Sequence, residues 1–410
     1  MKLQRINSTD SQNNFKAFIW HGLFLALASN FMDVNMVIPS MLLKMGAGSV
    51  HLGILTAILI GGSSFMQLIF SLFLQKTAFK KPYILVGINI RIIMLFSLAF
   101  LFFAGLGFSA FWLLFSVYFL ISVFALSGSF ANVSYIDIIG KTIDQQTRKR
   151  FFSLKQVFNS LGVLASAMAA GWMIKSFEYP DNFSRMFLVA AVLLLIASFG
   201  FWALRENIPS GTNPISLKQF HRKIVHEWKF TRNLRYYLLI VNTLGVGVSM
   251  IPFLIMLSKN NSGLSFDKVG DFLIFQTIGM ISGSLTMFFF SKKFRFKPIL
   301  FFNAFLFSTI LVLSLLLQEN QSIFSYIFIL TGLFVATYKI VIDNILIEIS
   351  TNENRTLYTG LAGAGNLFPM VIPVLVGFSL KYLSFTWVFS VVILLIILSL
   401  WPIYRLKCKH

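Results

Sequence analysis

The 410-residue chain has a single cysteine, Cys408, only five histidines, and 14 acidic residues against 34 Lys and Arg. One thiol near the C-terminus can form neither an intrachain disulfide nor a multi-thiolate metal site, and the histidines show no HExxH-type ligand spacing. Redox or metal chemistry is not expected, and no cofactor is expected either. There is no GxxxxGK[ST] phosphate loop, which excludes transport driven by nucleotide hydrolysis. Clustered His, Asp or Ser residues with catalytic spacing near a membrane interface are also missing, so an enzyme, including a lipid-processing one, is not expected. Charge itself is scarce: 12% of residues are Asp, Glu, Lys or Arg, too few to solvate the surface of a globular chain of this length.

Apolar residues take the place of charge. They make up 57% of the chain, and the mean hydropathy is +0.80. Stretches of about 20 residues, long enough to cross a bilayer as helices, recur from end to end. Twelve are expected, near 16–43, 50–75, 83–108, 111–135, 152–175, 186–204, 236–258, 268–290, 299–318, 323–348, 357–380 and 385–404. The fold class is therefore all-α and integral to the membrane. The first stretch is too long for a signal-peptide core and has no small-residue cleavage site after it, so it is expected to be retained.

A formal charge of +20 would suggest nucleic acid, but its placement argues for topology. Lys76, Lys80 and Lys81 follow span 2, Lys292, Lys293, Arg295 and Lys297 follow span 8, and the connection between spans 6 and 7 is basic. These positions share one side of the membrane with both termini, which the positive-inside rule makes cytoplasmic, where they would meet anionic lipid. Nucleic acid is not expected as a partner.

The longest connection, 205–235, divides the spans six and six, and the halves repeat. "FLQKTAFKKP" after span 2 matches "FFSKKFRFKP" after span 8. "YID" at Asp137, followed by Arg148, parallels "VID" at Asp343, followed by Arg355, and "VIPSML" of span 1 corresponds to "MIPFLI" of span 7. The organisation expected is a first half at 1–204, a basic cytoplasmic linker at 205–235 and a second half at 236–410. Within the linker, Phe220, Ile224 and Trp228 are four apart among basic residues, the pattern of a helix lying in the interface.

Twelve spans in two six-span halves, a basic loop after spans 2 and 8 and a long basic central loop together resemble the major facilitator superfamily over essentially the whole chain. Its GxLaDRxGRK motif is matched loosely by "SLFLQKTAFKK", with Ser71 at the first glycine and Gln75 in place of the aspartate. The fragment "SYIDIIGK" with "RKRFFSLKQ" resembles bacterial members. The resemblance implies a transporter in a bacterial cytoplasmic (inner) membrane, functional as a monomer. It also implies a cavity lined by spans 1, 4, 7 and 10, with spans 2, 5, 8 and 11 as seams between the halves. Small residues four apart fit such seams: Gly53, Ala57 and Gly61; Gly162, Ser166 and Ala170; Gly279 and Gly283. Drug-proton antiporters of the superfamily usually carry Gly-Pro in span 5, which "NSLGVLASAMAAG" lacks.

Charges inside the membrane are functional candidates by default. Asp33, past the middle of span 1, is short and has no basic neighbour one turn away. It is the expected proton or cation coupling site, with Asn30 on the preceding turn as its hydrogen-bonding partner. Lys339 and Asp343 are i and i+4 on span 10. They either neutralise each other or exchange partners with an anionic solute. Further cavity candidates are Gln67, Asn132, Asn242 and Tyr338. His21 is read as interfacial. Arg91 is long enough to snorkel toward cytoplasmic headgroups. With Asp137, Arg148, Arg355, Lys76, Lys80 and Lys81 it is assigned to a cytoplasmic gate or scaffold. The reading as a whole is a secondary active transporter of a small organic solute, anionic or zwitterionic, working by alternating access and coupled to protons. The alternatives are an efflux pump of the same fold for drugs or metabolites, or a non-transporting membrane receptor or lipid-processing protein.

Overall fold

A computed structural model describes residues 8–74, 76–104, 109–143, 145–207, 209, 217–262, 267–289, 295–350, 358, 361–363 and 365–407. In hydrocarbon a backbone must satisfy its own polar groups, which leaves the helix as the form for a single crossing chain. Among the described residues, twelve helical segments are long and apolar enough to cross a membrane: Thr9–Lys44, Ser49–Leu74, Lys81–Phe103, Ala110–Thr142, Leu154–Ser176, Asp181–Trp202, Arg232–Lys259, Lys268–Phe289, Phe296–Leu316, Ile323–Leu346, Leu361–Ser379 and Phe385–Arg405. These are spans 1 to 12 below. The chain is a multi-pass membrane protein with the all-helical architecture expected of it.

Local signals set several boundaries. Pro82 stands in the first turn of span 3, where its missing N–H costs nothing. Asn320 caps the helix containing span 10, its side chain accepting from Ile323 N at 3.2 Å. Gly46 turns the chain between spans 1 and 2 at φ +85°, a conformation that a side chain disfavours. In the linker the helix Leu217–Phe230 forms as expected and leaves Trp228 exposed, while the side chains of Phe220 and Ile224 lie outside the described residues.

The chain forms two compact units, Met1–Asp33 with Met66–Ile215, and Val34–Phe65 with Ser216–His410. In the first unit span 1 packs on spans 5 and 6, and span 3 packs on spans 4 and 6. In the second, span 8 packs along span 10, span 9 also lies on span 10, and the beginning of span 2 packs on span 11.

Small residues bring these helices together. Gly279 of span 8 lies against the Ile329 carbonyl, and Gly332 of span 10 against the Gln276 carbonyl, so a methyl group at either would strike backbone. Gly53 and Gly61 of span 2 approach Pro373 and Met370 of span 11, and the Ser49 hydroxyl donates to the Gly377 carbonyl at 2.7 Å. Only this set joins two of the expected seam spans. Gly162 packs on Ala26 of span 1, to which Ser166 also bonds, and Gly279 and Gly283 pack on span 10. The glycine faces of spans 5 and 8 thus hold each helix to a neighbour in its own unit, because helices can approach this closely wherever the side chains are small.

Candidate functional site

Span 1 is not one helix. The α-helix Ser8–Ser29 tightens into a 3-10 turn at Asn30–Met32, Asp33 adopts an extended backbone (φ −63°, ψ 127°), and a new helix begins at Val37. Irregular backbone at membrane depth is tolerated only where it is buried in protein or lines a water-filled cavity. Asp33, half-buried, marks the break. Span 7 is also interrupted: Leu244 ends one helix and Val246 opens the next, with Gly245 between them. The Tyr338 hydroxyl lies against that glycine.

Both amide hydrogens of Asn30 are used on span 5, at 2.7 Å to the Val163 carbonyl and 2.9 Å to the Ser166 hydroxyl. Neighbour relations at i and i+3 hold only while a helix continues, and this one stops at Met32.

Other candidates separate by environment. Lys339 and Asp343 are exposed on span 10, and the Lys339 charge acts on the Asp343 carboxylate. Asn132 is exposed and Gln67 half-buried. Asn242 is a tie between helices. Its amide donates to the Leu238 carbonyl at 2.8 Å and the Gly365 carbonyl at 2.5 Å, and its oxygen accepts from Phe368 N at 2.8 Å, capping a helix of span 11. Tyr338 is buried and stacks on Phe334 with centroids 5.6 Å apart, so its ring serves packing.

His21 is buried. Its ring stacks on Phe201 at 3.7 Å, and Nδ1 lies 3.2 Å from the Ala197 carbonyl. Arg91 is half-buried. Its guanidinium lies 4.4 Å above the Phe124 ring and beside Gly128 of span 4, where the absent side chain leaves room for it. Its Nε is buried with no hydrogen-bond partner among the described residues.

Three of the gate or scaffold residues, Lys80, Lys81 and Asp137, meet at one end of the first unit around an acid that the sequence reading passed over. Glu206, just after span 6, accepts the backbone N–H of Lys80 at 2.7 Å and of Lys81 at 2.6 Å, which caps the N-terminus of span 3. The same carboxylate pairs with Lys141 at 2.6 Å, and Lys141 reaches Asp137 at 3.2 Å. The Lys80 ammonium is buried and donates to the Leu74 and Thr77 carbonyls, closing the end of span 2. Burial holds its pKa below the ordinary lysine value, against the pull of the Asp137 charge. Lys81 donates to the Trp202 and Leu204 carbonyls at 2.8 and 2.7 Å and closes span 6. Asp137 was expected to contact Arg148. It pairs with Lys141 one turn on, and the Arg148 side chain and Arg355 lie outside the described residues. Lys76 is exposed.

The model of the Major Facilitator Superfamily matches residues 19–328. The chain belongs to that superfamily. Among solved structures, this superfamily member is similar over its length to a mutant of the nucleoside transporter NupG, at 14% identity and TM-score 0.71, covering 96% of this chain and 99% of the other. It is similar to a POT family transporter in complex with 5-aminolevulinic acid at 13% identity and TM-score 0.69, covering 95% and 94%. A bacterial homologue of the iron transporter ferroportin in an inward-facing state follows at 12% and 0.66, covering 96% and 98%. No curated protein matches in sequence. At these identities the neighbours establish the fold, and the superfamily makes this a transporter rather than an enzyme.

Proposed function

We propose that this protein is a secondary active transporter that moves a small organic solute, anionic or zwitterionic, by alternating access, with a proton as the coupling ion. The interruption of span 1 at Asp33 carries the reading. A carboxyl group at a break in a spanning helix stands beside backbone groups freed from helical pairing, the setting in which membrane transporters bind ions and substrates. Its charge costs least when water or a solute reaches it and most when the site closes, so its proton affinity changes as access alternates.

The exposed Lys339, one turn from Asp343, supports preference for a solute with a negative group. The repeat of basic loops after spans 2 and 8 supports two six-helix halves joined by the linker, with both termini in the cytoplasm of a bacterial cell and the body in its inner membrane. On this reading the protein acts as a monomer, and anionic lipid at the cytoplasmic face contacts its basic loops. The test is reconstitution into liposomes holding a pH-sensitive dye, with pooled solutes added outside. Solute-triggered proton movement that is absent from protein-free liposomes supports the proposal. Solute flux with no proton movement removes the coupling.

A further inference from the structure

The first unit holds cations that its scaffold does not use. Arg91 of span 3 and Lys155 of span 5 are half-buried, and neither makes a hydrogen bond or an ion pair among the described residues. The Arg91 guanidinium rests on the Phe124 ring and in the Gly128 gap. The Lys155 ammonium stands 5.0 Å from the centre of the Tyr135 ring. Both charges act on buried His21. Among the described residues, the other acids of the unit are engaged or distant: Asp10 pairs with Arg205, Asp137 and Glu206 hold Lys141, Glu178 lies in the turn between spans 5 and 6, and Asp181 opens span 6. Asp33 is three helical turns along span 1 from His21.

Two half-buried cations facing aromatic rings, with no ion pair among the described residues, are costly unless something anionic visits them. A cation–π contact offsets only part of the lost hydration. Arg91 rests at the level of Gly128 and Lys155 at that of Tyr135, two turns apart on span 4, about 10 Å at the helical rise. Two anionic groups on one short chain, each hydrogen-bonded to one cation, can bridge an interval of that order. We infer that Arg91 and Lys155 form a binding site for a short dicarboxylate, with the Tyr135 ring as its wall. This rests on the transporter reading and moves recognition of the anion into the first unit.

The experiment measures thermal unfolding of the full-length protein in detergent by tryptophan fluorescence. The probes are succinate, malate, inorganic phosphate, neutral succinamide and cationic putrescine at matched ionic strength. The expected result is stabilisation by succinate or malate above all three controls. Arg91→Gln and Lys155→Gln should each weaken the apparent affinity about tenfold or more. Arg91→Lys and Lys155→Arg, which keep the charge, should retain part of it. The melting point of each variant without ligand is recorded first, and the conservative pair serves if Arg91→Gln does not fold. No stabilisation by either dicarboxylate, equal stabilisation by phosphate, or unchanged affinity in Lys155→Gln overturns the site. Binding that the variants lose, with no flux in liposomes, upholds the site and refutes the transport reading. Flux of a solute that both variants leave intact does the reverse.

Discussion

Replacing Glu206 by alanine removes one carboxylate that serves three helices. It deletes the acceptor for two amide N–H groups at the start of span 3 and for Lys141 at 2.6 Å, in a side chain that is only 3% exposed. Breaking a buried charge pair on one side costs about 3–5 kcal/mol, because the partner is left without compensation. Lys141 keeps Asp137 at 3.2 Å, which argues for the lower end, about 3 kcal/mol. Glu206→Gln keeps an oxygen for one N–H and should cost about 1–2 kcal/mol. Thermal melting in detergent of Glu206→Ala, Lys141→Met and the double variant gives the coupling, expected at about 1–2 kcal/mol. A Glu206→Ala protein within about 0.5 kcal/mol of wild type, or an additive double variant, would refute the scaffold assigned to this end of the unit.

Two further substitutions test the packing. Gly332→Leu drives a side chain into the Gln276 carbonyl and should separate spans 8 and 10, with a loss of about 3 kcal/mol or failure to fold, whereas Gly332→Ala should be milder; equal melting points for wild type and both variants would contradict the close approach. Asn242→Ala leaves Phe368 N and the Gly365 carbonyl without their partner and should cost about 1–3 kcal/mol; a cost near zero, measured by the same melt, would return Asn242 to the set of residues free for solute.

The architecture was legible because bilayer thickness forces a length on every apolar stretch, and hydropathy reports that length directly. The start of span 1 was not. The helix begins at Ser8, and its first turns are held by the Asn14 side chain, which binds both the N–H and the carbonyl of Arg205, a partner far along the chain. Glu206 was illegible for a related reason: in sequence it is one acid at the head of a basic linker, and only the fold places it over the start of span 3. Lys155 was not singled out because it stands at the edge of an apolar stretch, and its helix begins a full ten residues earlier at Gln145. Asp33 was singled out by its chemistry, but the break in the helix around it was not legible. The helical spacing that made Asn30 its neighbour assumes a helix that ends before reaching it. Arg91 was found as an intramembrane charge, while the glycine that gives its guanidinium a place beside span 4 lies 37 positions away and carries no signal of its own.

We propose that Asp33 couples solute movement to protons. The direct measurement is proton flux in dye-loaded proteoliposomes for wild type and Asp33→Asn, with the same solute and with solute binding measured on the same preparations. The account predicts that Asp33→Asn binds the solute and moves no protons with it. Proton flux that persists in Asp33→Asn would contradict it.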